Sequence, residues 1–350
     1  MYTTQPKKLL IVNILDILKR CSDEDHRLSQ KDILGILEDE YSMKVDRKAV
    51  KRNLMNLIDF GYPIEYSESI RRKSDGEEET IYTDWYLLRD FSDAELRLLI
   101  DSLLFSKHIP YSQCKELIEK IQGLSNTYFS AKVKHIRNLP ENMPTNRQLF
   151  LTIEILDEAI SQKRQVAFTY NEYRTDKKLH PRSTEDGKVR EYIINPYQMV
   201  ATNGRYYLIC NYDNYDTVSN YRLDRITDIR LLDTPAKAMK KVQGLENGLH
   251  LPKHMAEHIY MFAGGSVVVR FRTESHLVGE IIDWFGQDVS FSGETDGMVD
   301  VRVRVNAQAF VFWALQYGQY VEVLEPASLR EEVKQAVMEM ARKYGMEEKR

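Results

Sequence analysis

The sequence predicts a multidomain α+β protein. At 350 residues, the chain is about twice the usual single-domain length, so two or three separately cored domains are expected. Apolar residues recur at helical spacing through much of the first half, and the pattern becomes strand-like after Ser161. With 43% apolar and 29% charged residues, the composition excludes a disordered, fibrous or collagen-like chain.

Three short helices and a β-hairpin are expected within residues 1–90, the first predicted domain. The helices are predicted from Lys8 to Arg20, from the N-cap Ser29 to Tyr41, and from the N-cap Asp46 to Gly61. Two strands, Ile64–Tyr66 and Ile81–Leu87, follow and are joined by a charged tip over residues 71–79. Residues 91–140 have a more helical pattern and are predicted to form a helical connector.

A small β-barrel behind a leading helix is the economical fold for residues 141–235. The helix is predicted over residues 146–161, and Asn203-Gly204 is a strong turn between the second and third strands. The five predicted strands are Gln165–Tyr170, Val189–Thr202 with a break near Pro196, Arg205–Tyr212, Thr217–Arg222 and Ile226–Leu232.

The last part of the chain predicts a split βαβ domain. Residues 236–265 are expected to be a linker, and residues 266–350 follow the order strand, helix, strand, strand, helix, strand, helix. That order is the ferredoxin-like arrangement with one added helix.

Several classes of protein are excluded by what the sequence lacks. No apolar run reaches the eighteen or so residues of a membrane span, and the N-terminus has no signal-peptide stretch, so a cytoplasmic protein is expected. Cys21, Cys114 and Cys210 are far apart and are predicted to be buried thiols rather than disulfides or zinc ligands. The net charge of −4 gives no overall attraction to nucleic acid, so any such binding must be local.

The third helix carries such a local basic face. Arg47, Lys48, Lys51 and Arg52 form two i,i+4 pairs, and Asn53 extends the polar side. A helix of this kind suits the DNA major groove, where cations meet phosphates and Arg or Asn reach base edges. The alternative is an ordinary solvated helix face. Three more cations at the hairpin tip, namely Arg71, Arg72 and Lys73, can reach phosphates, although the acidic residues beside them oppose this.

This N-terminal region resembles the winged helix-turn-helix of bacterial regulators. The stretch Ser29-Gln30-Lys31-Asp32-Ile33 stands where the family has its positioning helix, and Asp46 to Leu54 stands where it has its recognition helix. The resemblance therefore adds Ser29 and Gln30 to the DNA-binding residues expected on the third helix.

Three later motifs are similar to the signature of WYL-domain transcriptional regulators. They are Asn195-Pro196-Tyr197, Asn203-Gly204-Arg205-Tyr206-Tyr207-Leu208 and Tyr221-Arg222-Leu223-Asp224-Arg225-Ile226. Tyr206-Tyr207-Leu208 stands where the family usually has Trp-Tyr-Leu, which keeps an aromatic residue at the first position. The C-terminal unit, with Trp284-Phe285-Gly286 after its first helix, is similar to the WCX extension of that family.

The resemblance implies an Sm-like barrel that senses a single-stranded nucleic acid or nucleotide effector, in a protein that is commonly a homodimer. Cations mixed with flat rings suit phosphates and bases. The residues expected at this effector site are Tyr170, His180, Arg182, Tyr197, Arg205, Tyr206, Arg222 and Arg225. A structural alternative is that Arg225 pairs with Asp224 or Asp228 and that the tyrosines are half-buried strand residues.

Two further groups of residues have open interpretations. Arg270, Arg272, Arg302 and Arg304 alternate along two C-terminal strands and form either a wall of the effector cleft or a solvated sheet face. His250, His254 and His258 are spaced by four and can line one helix face as zinc ligands, although histidines in linkers are usually incidental, and no metal site is predicted. Neither a Walker-type glycine loop nor a Gly-x-Ser-x-Gly elbow occurs, so neither an enzyme nor a cofactor is expected.

The sequence therefore predicts a cytoplasmic bacterial transcription factor that binds double-stranded promoter DNA as a dimer and changes its DNA affinity when an effector binds. The alternative is an accessory protein that binds single-stranded nucleic acid through the barrel without regulating a promoter.

Overall fold

The computed structural model describes residues 6–72, 78–132 and 146–346, with the backbone alone at 130–132. The chain divides into two compact units, Met1–Met143 and Pro144–Arg350. Helices and antiparallel sheets occur together in the described residues, so the predicted mixed α+β class is confirmed.

Three helices and one hairpin begin the first unit. The bounds are α1 Leu10–Cys21, α2 Gln30–Tyr41, α3 Arg47–Phe60, β1 Ile64–Arg72 and β2 Glu78–Leu87. Both predicted N-caps are present, because the Ser29 hydroxyl accepts the Asp32 N–H at 3.2 Å and the Asp46 carboxylate accepts the Ala49 N–H at 2.7 Å. The strands are longer than the sequence predicts, since cross-strand pairing continues from Ile64–Leu87 to Arg72–Glu78.

The first unit has two apolar cores. One lies between α1, α2, α3 and the hairpin, with Ile14, Leu54 and Trp85 fully buried. The other belongs to α4 (Asp93–Phe105), α5 (Tyr111–Gln122) and α6 (Thr127–Lys132). The predicted connector is therefore helical from 93 to 132, and residues 133–145 lie outside the described part of the chain.

The second unit begins with a helix and six strands. The bounds are α7 Leu149–Gln162, β3 Arg164–Tyr173, β4 Leu179–Pro181, β5 Glu191–Thr202, β6 Arg205–Asn211, β7 Val218–Arg222 and β8 Ile226–Pro235. The five predicted strands are present, the short β4 was not predicted, and β5 continues past Pro196 with a bulge instead of a break. Asn203 and Gly204 both have positive φ, as the predicted turn requires.

The sheet is open in the described residues, so the small β-barrel that the sequence predicts is not confirmed. Its strands run in the order β8-β3-β5-β6-β7, with β4 paired to the end of β3. Strands β7 and β8 are consecutive but do not pair with each other, because the turn Leu223–Arg225 directs them to opposite edges.

The segment predicted as a linker is packed against this sheet. Val242, Leu245 and Met261 are 0%, 2% and 4% exposed and lie against apolar residues of β5, β6 and β7 such as Val200 and Ile209. Helix α8 (Leu251–Glu257) belongs to the same segment. The segment 236–265 thus covers one face of the sheet.

The C-terminal part has the predicted split βαβ order. Its elements are β9 Ser266–Glu274, α9 Val278–Phe285, β10 Ser290–Thr295, β11 Met298–Asn306, α10 Ala307–Gln316, β12 Val321–Glu325 and α11 Ala327–Lys343. The sheet order is β10-β11-β9-β12, and all its pairs are antiparallel. Phe271, Phe310 and Trp313 fill the core between this sheet and its helices.

Two further expectations concern cysteines and membranes. Cys114 and Cys210 are buried, whereas Cys21 at the end of α1 is only half-buried, so one of the three predicted buried thiols is partly exposed. No helix in the described ranges is long and apolar enough to span a bilayer.

Candidate nucleic-acid and effector sites

The predicted DNA-contacting face of α3 is exposed at three cations. Arg47, Lys48 and Arg52 are exposed, and none of them forms an ion pair within the described ranges. The opposite face of the helix is held in the core by Val50 and Leu54, which are both fully buried. The cations therefore project away from the core, where they can meet phosphates.

Two polar residues of the same helix are already engaged. The Lys51 ammonium lies 3.6 Å from the centre of the Tyr82 ring on β2, which is a close cation–π contact. The Asn53 amide donates to the Ala49 carbonyl at 2.8 Å. The Lys51 side chain thus ties α3 to the hairpin, whereas the Asn53 hydrogen bond lies within α3.

The other predicted DNA contacts differ in availability. Ser29 is used as the α2 cap, and Gln30 is only 8% exposed. Arg71 and Arg72 are exposed on β1, opposite Glu79 and Glu78. Arg72 pairs with Glu78 at 3.2 Å, and Lys73 lies outside the described residues.

Part of the predicted effector site comes together on the sheet of the second unit, where tyrosine rings pack on one another. Tyr170 and Tyr221 lie with ring centroids 4.8 Å apart, and Tyr192 is within 5.6 Å of Tyr221. Burial raises the pKa of both Tyr170 and Tyr221, so their hydroxyls stay protonated at neutral pH.

Arginines surround these rings. Arg182 lies 5.3 Å from the centre of the Tyr170 ring, Arg190 lies 4.8 Å from that of Tyr192, and Arg225 lies 5.7 Å from that of Tyr173. We call this group, with Arg222 and Tyr207, the tyrosine–arginine cluster; its members are Tyr170, Tyr173, Tyr192, Tyr207, Tyr221, Arg182, Arg190, Arg222 and Arg225. Rings beside guanidinium groups form a surface that suits the bases and phosphates of nucleotides.

Arg222 is held by a bidentate ion pair. Its Nε and Nη2 atoms donate to the Asp224 carboxylate at 3.0 and 2.6 Å, and the two side chains are only 15% and 8% exposed. Burial lowers the pKa of Arg222, but its contacts with Asp224 outweigh this and raise the pKa overall. The predicted alternative paired Arg225 with Asp224, whereas the structure gives that carboxylate to Arg222.

Of the two predicted phosphate ligands, Arg222 and Arg225, only Arg225 has a buried side-chain donor without a hydrogen-bond partner among the described residues. That donor is its Nε atom. The Tyr170 hydroxyl accepts the backbone N–H of Arg222 at 3.3 Å, which fixes the turn that carries both arginines. The free donor on Arg225 is therefore held in place beside the rings.

Four predicted effector residues contribute differently. Tyr197 donates to the Lys237 carbonyl at 3.0 Å and packs in the apolar core under the cover segment. His180 contacts the exposed Asp176 carboxylate at 2.7 Å. Arg205 shares a face of β6 with Tyr207, whereas Tyr206 lies on the other face. Burial raises the pKa of Tyr206, and the nearby Asp157 carboxylate of α7 raises it further.

The sequence reasoning therefore missed several members of the cluster. Tyr207 lies directly opposite Arg222 across strands β6 and β7, and strand alternation alone favours it over Tyr206 once Arg222 is placed. Arg190 directly precedes β5, and Tyr192 is the second residue of that strand. Several loop residues separate both from Arg182 along the chain, so the sequence does not show that they are close in space. Tyr173 follows Tyr170 by three residues, which strand periodicity alone does not place on the same face.

The histidine spacing does not form a metal site. Among the described residues, no group of three or more His, Cys, Asp or Glu side chains has a metal-binding arrangement. The His254 and His258 rings stack with centroids 4.1 Å apart, and His250 accepts the Lys253 N–H as the cap of α8.

The C-terminal arginines share a sheet face as predicted. Arg270 and Arg302 are directly opposite each other on β9 and β11. Arg270, Arg272 and Arg304 pair with Glu325, Asp300 and Glu257, respectively, and of the four only Arg302 has no ion pair within the described ranges. Most of this face is therefore internally neutralised.

Comparison with known proteins gives two domain matches. The WYL domain family matches residues 152–231, and the WCX domain family matches residues 263–341. The comparison with curated proteins found no significant match.

Two solved structures are similar to the chain at low identity. Proteasome accessory factor B/C (PafBC) of Arthrobacter aurescens is 17% identical over 93% of this chain and 47% of its own, with a TM-score of 0.29. A structure described as a CRISPR Cas-related protein is 13% identical over 99% of this chain and 88% of its own, with a TM-score of 0.36. The chain thus spans about half the length of PafBC.

The domain matches agree with the observed elements. The first covers the open sheet with its tyrosine–arginine cluster, and the second covers the split βαβ part. This chain therefore contains a WYL domain followed by a WCX domain.

Proposed function

We propose that this protein is a DNA-binding transcriptional regulator whose WYL domain senses a nucleic-acid or nucleotide effector. In this proposal residues 1–90 act as a winged helix-turn-helix, and the open sheet acts as an Sm-like effector domain. The observation that carries the proposal is a set of exposed α3 cations that form no ion pair with the described residues, in a chain that also contains a WYL domain. The protein has no catalytic role of its own and acts in the cytoplasm as a homodimer.

The DNA contact follows from charge and exposure. Arg47, Lys48 and Arg52 lie on consecutive turns of one helix, so they can neutralise neighbouring phosphates while an arginine reaches a base edge. In a dimer, two copies of α3 would occupy major grooves about one DNA turn apart, or a multiple of this distance.

The effector contact rests on the tyrosine–arginine cluster. Arg182, Arg190, Arg222 and Arg225 exceed the two carboxylates paired with them, Glu172 and Asp224, by two charges. This surplus beside flat rings attracts an anion that carries bases. The effector controls the DNA affinity only if it binds one arrangement of the dimer better than the other.

The test is fluorescence anisotropy of the full chain with duplex DNA from upstream of its own gene. The variant Arg47→Ala/Lys48→Ala/Arg52→Ala is compared with a control that removes three exposed lysines around α5, Lys107→Ala/Lys115→Ala/Lys120→Ala. We expect the α3 variant to lose sequence-selective binding and the control to keep it. Equal binding by the two variants would contradict the DNA-contacting role of α3.

Single-stranded competitor and light scattering complete the test. A shift of duplex affinity caused by a short single strand in the wild type supports effector sensing by the cluster. Binding to single strands without selective duplex binding would favour an accessory nucleic-acid-binding protein instead. A monomeric mass at micromolar concentration would overturn the proposed dimer.

A further inference from the structure

A cavity of about 740 Å³ lies in the second unit, away from the tyrosine–arginine cluster. Its walls are the start of β7, the loop 243–250, one face of α8, the start of β9 and Arg304 of β11. It shares no lining residue with the cluster, and its volume is in the range of metabolite sites. The walls come from both the WYL-matched and the WCX-matched residues, so a ligand here would touch both.

Helix α8 turns a polar stripe toward this cavity. The lining residues from this helix and its two caps are His250, Lys253, His254, Glu257 and His258. Steps of three and four residues place them on one face. The opposite side of this cover segment is apolar and packs on the sheet. A polar stripe on the cavity side therefore indicates a solvent-filled pocket instead of a packing defect in the apolar core.

Two cations, Lys253 and Arg304, and two carboxylates, Glu246 and Glu257, lie on the walls. Glu257 is 14% exposed and has two cations at the limit of contact, Lys253 at 4.0 Å and Arg304 at 3.4 Å. The other lining carboxylate, Glu246, accepts the Gly244 N–H at 3.0 Å. Lys253 and Arg304 thus share the half-buried Glu257 carboxylate, and Glu246 forms no ion pair among the described residues.

His258 also lines this wall and contacts two backbone carbonyls. Its Nδ1 lies 3.0 Å from the His254 carbonyl and its Nε2 lies 3.3 Å from the Gly264 carbonyl. Carbonyl oxygens only accept hydrogen bonds, so each contact is a hydrogen bond when the ring nitrogen concerned carries a proton.

Two buried polar groups on the walls have no partner. His254 is 8% exposed, and its Nε2 has no hydrogen-bond partner among the described residues. Burial, with a smaller contribution from the charge on His258, lowers the pKa of His254 to about 4, so this ring is neutral at neutral pH. The Ser266 hydroxyl is also buried without a partner in the described chain. Both groups can hydrogen-bond to a polar molecule in the cavity.

We propose that this cavity binds a small metabolite through its oxyanion group, with Arg304 and Lys253 as the binding cations. The oxyanion replaces Glu257 as the ion-pair partner of these cations, and the polar remainder of the metabolite lies near Ser266 and His254. Bound there, the ligand ties α8 to β11 and so restrains the WYL domain against the WCX domain.

The test is equilibrium dialysis of the full chain with radiolabelled sulfate, and in a second arm with radiolabelled acetate. Sulfate represents a tetrahedral phosphate-like group and acetate a planar carboxylate, so the arm that binds tells the two ligand chemistries apart. We expect one saturable site in the wild type that is weakened about tenfold or more in both Arg304→Gln and Lys253→Gln.

The matched control is Arg302→Gln, two residues along the same strand. Arg302 is exposed and forms no ion pair within the described ranges, so its loss should change the affinity less than about twofold. Arg225→Gln in the tyrosine–arginine cluster should leave this site intact. The proposal is overturned if neither anion binds below about 20 mM, or if Arg302→Gln weakens binding as much as Arg304→Gln does. Arg304 is 55% exposed at the side chain, so the variant is expected to fold, which circular dichroism verifies.

Discussion

The cations of α3 and Arg222 of the tyrosine–arginine cluster differ in how they are held. Arg47, Lys48 and Arg52 are exposed and free of ion pairs in the described chain, whereas Arg222 lies 15% exposed in a bidentate pair with Asp224. Exposed cations can follow a phosphate backbone whose position varies with sequence, while fixed cations can only accept a ligand that matches their geometry. The difference fits one surface for a long polymer and one for a defined ligand.

The largest effect is expected where a fixed cation loses its partner. Asp224→Ala leaves the Arg222 charge in a poorly solvated place, so we expect the free energy of unfolding to fall by about 3 kcal/mol in urea titrations. The control is Asp186→Ala, whose carboxylate pairs with exposed Lys188 at 3.1 Å and should leave stability unchanged within error. A similar loss in both variants would show that the Arg222–Asp224 pair is no more fixed than a surface pair.

The next effect concerns the free cations. Arg47→Ala/Lys48→Ala/Arg52→Ala should weaken duplex binding about a hundredfold and make the slope of log affinity against log salt shallower by about 2.5. Anisotropy titrations at four salt concentrations measure both quantities. An unchanged slope with reduced affinity would mean that these side chains do not contact phosphates, and the comparison between the two surfaces would fail on this side.

A smaller effect is expected for Arg225 of the tyrosine–arginine cluster. Arg225→Gln should weaken binding of a labelled short single strand about tenfold. The midpoint of urea unfolding should stay near that of the wild type, because Arg225 Nε makes no hydrogen bond to the described residues that could be lost. Arg222→Gln, by contrast, should lower both quantities, since it leaves Asp224 buried without its cation. Equal behaviour of the two variants would remove the distinction between them.

The smallest effect belongs to Lys51, which is part of the basic face but lies over the Tyr82 ring at 3.6 Å. Lys51→Met keeps the aliphatic length and removes the charge. We expect stability to fall by about 0.5–1 kcal/mol and duplex affinity to fall less than in Arg52→Ala. If Lys51→Met has the larger effect on DNA affinity, the ammonium leaves the ring when DNA binds.

Local signals predicted the element boundaries well. Ser29 and Asp46 begin helices because their side-chain oxygens accept otherwise free N–H groups, and Gly61 ends one at φ 111°. The Asn203-Gly204 turn and the split βαβ order were equally readable, because each depends on short-range periodicity and turn residues. The sequence did not show that β7 and β8 stay unpaired, because barrel closure depends on how far the whole sheet curls.

The candidate effector site was predicted only in part for a related reason. Tyr170, Arg182, Arg222 and Arg225 were placed together, but Tyr206 was chosen over Tyr207 and Tyr197 was included. The motif resemblance pointed to residues that are adjacent in sequence, whereas the side chains of adjacent strand residues point to opposite faces of the sheet. Only the register of β6 against β7 decides which tyrosine meets Arg222.

The sequence by itself determined the mixed α+β class, the helix caps, the basic face of α3 and the order of the C-terminal strands. Each of these depends on residues a few positions apart, whose geometry is set by helix or strand periodicity. The tertiary structure decided that Asp224 pairs with Arg222, that residues 236–265 cover a sheet face, and that Arg304 lines a cavity with α8. These contacts join residues far apart in the chain, so they depend on packing that no local pattern encodes.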